Sequence, residues 1–432
     1  MTNRIANILA RQLWDSRGRP TVEAEVRLEN GAIGRAIAPA GASRGAHEAI
    51  DLRDGGDAFG GMGVARAVAN VATEIAPALN GMDARDQAAI DRALVALDGT
   101  PNKERLGGNA LVAVSMAVLH AAAAAERAPL WRYLAGGRKV RIPLPEIQIF
   151  GGGAHAGRRT DIQDFMVMAP RAGSFRRALE ITDAVYRAAG ELMAAMGPLS
   201  GVADEGGWWP NFSSNEQALD TLTKAIELAG FRAGEDVFIS LDIAANELGD
   251  ATGYSLALDD RRMDGAAMAE EVIGWTRRYP ILSIEDPASQ DDFATMATVV
   301  RAVGDKVQVI GDDVLVTNAA RVAKAAEAGA CNAALIKVNQ VGTVTEAHEA
   351  LEAARARGWG MIVSARSGET EDVTIAHLAT GWDAGQLKVG SFTRSERMAK
   401  WNEVLRIEEE MGADAVFAGA SAFAAPVAAR LG

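Results

Sequence analysis

Cysteine is almost absent from this chain of 432 residues, in which Cys331 is the only one. No disulfide can form within the chain, which is typical of a protein from a reducing compartment. Long apolar runs are also missing, since none approaches the ~20 unbroken apolar residues of a membrane span. The most apolar segment, residues 110–125, contains Ser115 and His120 and predicts a helix packed in the interior. The first residues lead into no apolar segment with a small-residue cleavage site, so we expect no secretion signal and a cytoplasmic location.

Basic residues are fewer than acidic residues in this sequence. Lysine and arginine number 44 against 57 aspartates and glutamates, for a formal net charge of −13, and the basic residues form no cluster. This balance argues against a nucleic-acid partner, and without an apolar span we expect no membrane partner. Hydrophobic residues make up 49% of the chain, which is enough for large buried cores, and a chain of this length predicts two domains.

The first third of the sequence predicts a small α+β domain over residues 1–136. Apolar and polar residues alternate over residues 21–28, which predicts a half-buried strand. Asn30-Gly31 then supplies the positive-φ turn of a tight hairpin. A glycine-rich stretch at residues 40–45 predicts a surface loop. Helical patterns follow at residues 64–79, 86–97 and 109–125.

The remainder, residues 137–432, predicts a parallel β/α arrangement. Six short apolar runs are each followed by an amphipathic helical stretch, which indicates βαβ units. These runs lie at residues 237–241, 281–284, 307–310, 333–336, 361–363 and 386–387. The ionisable residues that follow them are, in order, Asp242, Glu285, Asp312, Lys337, Arg366 and Lys388.

This series of charged strand ends favours a barrel active site. A barrel of βα units carries its active site at the C-terminal strand ends, so the pattern gathers three carboxylates, two lysines and an arginine on one face. A single aspartate after a strand is more often a helix N-cap than a ligand. Six ionisable groups at six consecutive strand ends do not fit that explanation, and such clusters are typical of functional sites.

Seven longer motifs resemble the enolase family over nearly the whole chain. They are WDSRGRPTVE (14–23), DEGG (204–207), SIEDP (283–287), GDD (311–313), LIKVNQVGT (335–343), RSGETED (366–372) and RSERMAK (394–400). The resemblance implies an α/β fold of the enolase type, a (β/α)8 barrel with a smaller N-terminal α+β domain. It implies that the first barrel strands run irregularly, with one of them antiparallel. It also implies a homodimer or a higher homo-oligomer.

The family's reaction explains why these residue types are present. Enolases are glycolytic lyases that dehydrate 2-phosphoglycerate, a small phosphorylated acid, to phosphoenolpyruvate, with two Mg²⁺ ions per site of which the second arrives with the substrate. Loss of a proton beside a carboxylate makes a dianionic enolate, which metal ions and cationic side chains stabilise. By resemblance, Asp242, Glu285 and Asp312 hold the first Mg²⁺, and Ser43 helps to hold the second.

The resemblance also assigns roles in acid–base chemistry and in substrate binding. The catalytic candidates are the base Lys337, the acid Glu205 and, beside the leaving group, Asp164 and His155. The substrate-binding candidates are Gln163, Lys388 for the carboxylate, Arg366 and Ser367 for the phosphate, and Arg44 on the glycine-rich loop for an additional charge. A free lysine has a pKa near ~10.4, so we expect Mg²⁺ and Lys388 to lower the pKa of Lys337.

Several positions near the leaving group depart from the family pattern. Ala365 replaces a histidine, and Asp164 replaces a glutamate that is one methylene longer. The other departures are Arg44, Arg158, Arg159 and the pair Trp208-Trp209. The metal ligands, the base and the phosphate clamp are unchanged, so the replacements lie around the leaving hydroxyl and the two loops.

Three interpretations stay open. The first is a working phosphopyruvate hydratase with a modified acid side. The second is an enzyme for a related phosphorylated or phosphonate acid, similar to the carboxyphosphonoenolpyruvate synthases, with the additional arginines and tryptophans holding further anionic or nucleotide groups. The third is a non-catalytic binding protein on the same scaffold, which the intact lysines and carboxylates disfavour.

Overall fold

An antiparallel three-stranded sheet begins the fold, in the order β1-β2-β3. The computed structural model describes residues 2–42, 45–250 and 252–431, so the predicted contacts of Ser43 and Arg44 lie outside the described residues. The strands are β1 Ile5–Trp14, β2 Pro20–Leu28 and β3 Ile33–Ile37. The predicted hairpin is confirmed, since Gly31 has a φ of 89° and Asn30 Oδ1 accepts a hydrogen bond from the Ala32 amide at 2.9 Å.

The prediction that β2 is half-buried is wrong, because both faces of this central strand are covered. Thr21 is only 1% exposed and Glu25 only 3%. The Glu25 carboxylate forms ion pairs with Arg11, Arg27 and Arg35. Polar residues can therefore occupy a covered face of the strand, because arginines from the sheet neutralise the carboxylate.

Five helices follow the sheet in the chain. They are α1 Ala65–Asn70, α2 Ala76–Leu79, α3 Gln87–Asp98, α4 Gly108–Ala125 and α5 Leu130–Ala135, with a π-helical turn at Val71–Ile75 between the first two. By length and composition α4 could cross a membrane, but 15 of its 18 residues are buried, which confirms a helix packed in the interior. Gly34 of β3 allows its close approach, since a Cβ there would lie 2.2 Å from the Ala117 carbonyl oxygen.

Eight later strands close into a barrel, and the expected fold is confirmed. The first three barrel strands are β4 Leu144–Gly151, β5 Asp164–Met168 and β6 Phe238–Asp242. The next three strands in the chain form a small separate sheet and are β7 Gly249–Asp250, β8 Gly253–Leu256 and β9 Arg261–Met263. The other five barrel strands are β10 Ile281–Glu285, β11 Gln308–Gly311, β12 Ala333–Ile336, β13 Gly360–Ser364 and β14 Gly385–Ser391. β5 pairs antiparallel with β4 and β6, and the other barrel pairs are parallel. The segment between β4 and β5 contains no crossover helix, so it reverses the chain as a hairpin does.

Further helices follow the barrel strands along the chain, and the last two of them come after the final strand. They are α6 Phe175–Met196, α7 Asn215–Leu228, α8 Gly265–Arg278, α9 Phe293–Val303, α10 Ala319–Ala328, α11 Val338–Val341, α12 Val344–Arg355, α13 Thr374–Gly381, α14 Ser395–Met411 and α15 Ala425–Leu431. Several begin at a residue whose side chain accepts a hydrogen bond from a first-turn amide, which is the usual N-cap. These residues are Ser174, Ser214, Asp264, Asp292, Asn318 and Thr343.

The register of the barrel strands brings charged residues side by side. Asp164 at the start of antiparallel β5 pairs with Asp242 at the end of β6, and Asp242 pairs with Glu285 at the end of β10. On the other side of the barrel, Ser364 pairs with Lys388. Strand closure therefore places these side chains around one mouth of the barrel, as expected for the C-terminal strand ends.

Candidate active site

A cleft of about 330 Å³ opens at this mouth of the barrel. It is lined by Gly41, Ala42, His155, Gln163, Asp164, Glu205, Asp242, Lys337, Ser364, Ala365, Arg366, Ser367, Lys388 and Val389. Glu285 and Asp312 lie next to it, where two of the lining lysines contact them. The described residues for which the sequence predicts a role therefore lie together in one place.

Lys388 of β14 binds two of the three predicted metal ligands. Its Nζ lies 2.8 Å from Asp242 Oδ2 and 2.7 Å from Glu285 Oε2. Burial lowers the pKa of Lys388, but the two carboxylates outweigh burial and raise it well above its ordinary value. Burial raises the pKa of Asp242, yet Lys388 outweighs it and lowers that pKa to about 2. Burial and the neighbouring Asp242 raise the pKa of Glu285 well above its ordinary value.

Lys337, at the end of β12, binds the third predicted ligand. Its Nζ lies 2.5 Å from Asp312 Oδ2, and Asp312 Oδ1 accepts a hydrogen bond from Gln340 Nε2 at 2.8 Å. Burial lowers the pKa of Lys337, but Asp312 outweighs burial and raises it. The sequence predicts a lowered pKa for Lys337 as the base, so this direction is the opposite. The reason is that the prediction pairs the Asp312 carboxylate with Mg²⁺, whereas here its partner is Lys337.

The donor set around these lysines fits a hard divalent cation. Among the described residues, the groups that bring three ligand atoms within 4.8 Å of one another are His155-Asp164-Glu205 and Asp286-Asp312-Asp313. The predicted triad of Asp242, Glu285 and Asp312 is not such a group, and an ammonium group lies against each of its carboxylates. The triad still offers the carboxylate oxygens that Mg²⁺ prefers, and Glu285 Oε1 is buried with no hydrogen-bond partner among the residues that the structure describes. A cation bound by the same oxygens would compete with Lys388 and Lys337 for these carboxylates.

An imidazole and two carboxylates also lie in the cleft, and one of these carboxylates, Asp164 Oδ2, is 3.8 Å from Lys388 Nζ. His155 Nδ1 lies 3.2 Å from Asp164 Oδ1, and His155 Nε2 lies 3.9 Å from Glu205 Oε1. Gln148, buried on β4, donates a hydrogen bond from Nε2 to the same Asp164 oxygen and accepts one from the Gly207 amide at 2.8 Å. Gln148 therefore connects the short Asp164 side chain to the segment that carries Glu205.

We expect the His155 imidazole to titrate near pH 9. Burial lowers its pKa, but the carboxylates of Glu205 and Asp164 outweigh burial and raise the pKa to about 9, against ~6.5 for a free histidine. The stabilisation from this raised pKa is complete below about pH 6.5 and is lost as the pH rises through about 9. Histidine-selective NMR titration measures the pKa, with the resonance assigned through His155→Gln.

His377 serves as the internal comparison in that titration. Burial lowers its pKa to about 4, so the two histidines should titrate at opposite ends of the range. The thermal midpoint of the wild type should fall more steeply between pH 7 and 9 than that of His155→Gln. A His155 resonance that titrates at or below pH 6.5 would contradict the assignment.

The predicted phosphate clamp is held by residues that the sequence analysis did not single out. Arg366 Nη1 donates hydrogen bonds to Glu48 Oε2 at 2.9 Å and to Asn339 Oδ1 at 3.1 Å. Ser367 Oγ accepts one from Arg17 Nη1 at 3.2 Å. Arg17 and Asn339 stand within the longer motifs, where a search for charged and amide side chains would have found them. Glu48 stands outside every motif and carries no such signal.

Of the additional arginines and tryptophans, the four that lie within the described residues, Arg158, Arg159, Trp208 and Trp209, do not line the cleft. Arg158 Nη2 forms an ion pair with Glu247 Oε2 at 2.8 Å, and Arg159 Nη2 donates a hydrogen bond to Asn211 Oδ1 at 3.3 Å. The Trp208 ring stacks on the Tyr186 ring, with 4.9 Å between centroids. These contacts give no support to the idea that these residues hold further anionic groups of a substrate.

The regions that are similar to known proteins cover almost the whole chain. Residues 5–134 match the family model described as the N-terminal domain of enolase, and residues 139–426 match the model of the enolase C-terminal TIM barrel domain. A relative named Enolase 1, from Desulfitobacterium hafniense strain Y51, is 47% identical over 425 residues. The matched region is 98% of this chain and 97% of that relative.

Proposed function

The chain belongs to the enolase family of lyases, and we propose that its cleft dehydrates 2-phosphoglycerate to phosphoenolpyruvate. The observation that carries this proposal is that one cleft holds both sets of groups. Lys337 and Lys388 contact three carboxylates, and His155 lies next to Asp164 and Glu205 in the same cleft. Such a site can remove a proton beside a carboxylate and deliver a proton to a leaving hydroxyl.

On the lysine side, we assign proton abstraction to Lys337 and binding of the substrate carboxylate to Lys388. Asp242, Glu285 and Asp312 would hold the first Mg²⁺, and the second would arrive with the substrate phosphate. When bound, Mg²⁺ stabilises the negative charge that develops on the substrate carboxylate. A Mg²⁺ ion held by Asp312 would compete with Lys337 for this carboxylate, and loss of the contact would remove the interaction that raises the pKa of Lys337.

On the acid side, we assign protonation of the leaving hydroxyl to Glu205. His155 lies between Glu205 and Asp164, so its imidazolium would orient both carboxylates. Gln163 donates a hydrogen bond from Nε2 to Asp242 Oδ2 at 3.1 Å. We assign Gln163 to binding of the substrate. Arg366 and Ser367 would bind the phosphate.

We expect restoration of the acid side to raise the hydratase rate. The double substitution Ala365→His and Asp164→Glu should increase turnover of 2-phosphoglycerate by about 10- to 100-fold, which does not exceed the lower end of the ~10²–10⁴-fold contribution of general acid–base catalysis. The reason is that Ala365 lines the cleft where an imidazole could stand, and Asp164 is one methylene short. The absorbance of phosphoenolpyruvate, followed with and without Mg²⁺, measures the rate.

The single substitutions Ala365→His and Asp164→Glu are the controls for the double variant. If the wild type already turns over 2-phosphoglycerate at rates ordinary for enzymes, about 10 s⁻¹ or more, the idea of a weakened acid side is dropped. If 2-phosphoglycerate is inert with the wild type and with all three variants, the hydratase proposal itself fails.

The alternative substrate is a related phosphorylated or phosphonate acid. The observation in its favour is that Ala365 and Asp164, which depart from the family pattern, both line the cleft, whereas the lysines and the phosphate clamp match that pattern. A substrate with a different leaving group would need a different acid there. The test is turnover of phosphonate analogues by a wild type that leaves 2-phosphoglycerate unchanged.

We also propose a homodimer or higher homo-oligomer, a cytoplasmic location, and a boundary between the two domains at residues 136 and 137. The two family matches, which end at 134 and begin at 139, support a boundary in this region. Sedimentation of the purified protein measures the assembly.

A further inference from the structure

Within the described residues, the buried carboxylate of Glu48 binds the guanidinium of the predicted phosphate clamp, together with the amide oxygen of Asn339. Glu48 is 5% exposed and Arg366 is 4% exposed. Glu48 Oε2 accepts a hydrogen bond from Arg366 Nη1 at 2.9 Å, and Glu48 Oε1 accepts one from Arg366 Nη2 at 3.3 Å. Two parallel hydrogen bonds between a guanidinium and a carboxylate determine orientation as well as position.

The same carboxylate has two further partners. Glu48 Oε1 accepts a hydrogen bond from the Gly45 amide at 3.0 Å and one from Gln340 Nε2 at 3.4 Å. Gln340 Nε2 also donates to Asp312 Oδ1 at 2.8 Å. Glu48 therefore connects the phosphate clamp to a predicted metal ligand and to the backbone at the end of the glycine-rich loop.

The charge of Arg366 makes this partner important. A guanidinium buried in the protein interior is strongly unfavourable unless an opposite charge and hydrogen bonds compensate it. An arginine side chain also has many rotamers, so an arginine that is already held in place loses less conformational freedom when it binds an anion. Glu48 provides the opposite charge and, through its two oxygens, the fixed orientation.

We propose that Glu48 is a positioning residue, which orients the Arg366 guanidinium so that it can bind the phosphate of the substrate. The proposal rests on the proposed function in that it takes Arg366 as the phosphate ligand. It predicts the direction in which the affinity for phosphate changes, and this direction distinguishes loss of orientation from loss of charge. Removal of a negative charge beside an anion site should strengthen anion binding by Coulomb's law, whereas loss of orientation should weaken it.

The test is binding of inorganic phosphate, in the presence of saturating Mg²⁺, to the full chain and to Glu48→Gln. The substitution preserves the shape of the side chain and removes its charge. We expect the Kd for phosphate to rise about tenfold, which is about 1.4 kcal/mol. Tighter binding, or an unchanged Kd, would overturn the proposal. If Glu48→Gln does not fold, Glu48→Asp replaces it, since it keeps the charge and withdraws the carboxylate by one methylene, and it should also weaken binding.

A double-mutant cycle shows whether Glu48 acts through Arg366. Arg366→Gln should itself weaken phosphate binding, and Glu48→Gln should then have no further effect, because neighbouring residues that act as a unit are not additive. A full additional loss in the Arg366→Gln background would contradict the proposal.

Asp51→Asn is the matched control for charge. The Asp51 carboxylate raises the pKa of Arg366, but it forms its ion pair with Arg53 at 3.1 Å. This variant should bind phosphate as the wild type does, or slightly more tightly. Because phosphate binding needs no turnover, the cycle can succeed even if 2-phosphoglycerate proves to be the wrong substrate. Conversely, a wild type that dehydrates 2-phosphoglycerate while Glu48→Gln binds phosphate normally would refute only the role of Glu48.

Discussion

Replacement of Lys337 by alanine is expected to lower exchange of the substrate α-proton by about 10³-fold or more. General bases contribute roughly 10²–10⁴-fold, and Lys337 lines the cleft beside the carboxylates proposed to hold Mg²⁺. Exchange isolates abstraction of the proton from loss of the hydroxyl. It is measured as disappearance of the C2 proton signal of 2-phosphoglycerate in deuterium oxide with Mg²⁺.

Two further variants make this experiment specific. Glu205→Gln should keep the exchange and lose elimination, because Glu205 is assigned to the leaving hydroxyl. Lys324→Ala is the matched control, since Lys324 is an exposed lysine on α10 whose Nζ lies over the Phe293 ring. Undiminished exchange in Lys337→Ala, or loss of exchange in Lys324→Ala, would remove Lys337 from the role of base.

Replacement of Asp242 by asparagine is expected to abolish Mg²⁺-dependent activity, with a loss of about 10³-fold. Stabilisation of developing charge by a metal ion is worth several kcal/mol, and each ~1.4 kcal/mol is a factor of ten in rate. Asp242 is only 3% exposed. Its replacement removes a charged oxygen from a site in which, within the described part of the chain, the neighbouring Glu285 Oε1 has no hydrogen-bond partner. Titration calorimetry with Mg²⁺ and the absorbance assay measure affinity and rate separately.

The control for this substitution is Asp236→Asn, a few residues earlier in the chain. Asp236 forms an ion pair with Arg232 at 2.7 Å on the surface, so its replacement should alter neither Mg²⁺ affinity nor rate. Circular dichroism verifies that Asp242→Asn remains folded. A folded Asp242→Asn protein with wild-type affinity for Mg²⁺ would show that the metal is bound elsewhere.

The amino-acid sequence alone was sufficient to predict the barrel and the residues at its mouth. Strand and helix periodicity is local, so a short apolar run followed by an ionisable residue identifies a strand end without knowledge of distant parts of the chain. For that reason the strand pattern by itself places Asp242, Glu285 and Lys388 on one face of the barrel. The prediction that β2 is half-buried was wrong for the complementary reason, since burial of its second face depends on arginines of the sheet that local alternation does not reveal.

The sequence by itself determined the family, the barrel class and the residue types of the cleft, because these depend on local patterns and on motifs. Only the tertiary structure decided which groups touch. Glu48 and Arg366 stand 318 positions apart, and their contact depends on how the N-terminal part of the chain packs against the barrel. Closure of the barrel likewise brings Lys388 of the last strand against Asp242. The charge state of each group follows from these contacts and from burial, which is why the raised pKa values of Lys337 and His155 could not be predicted from the order of residues.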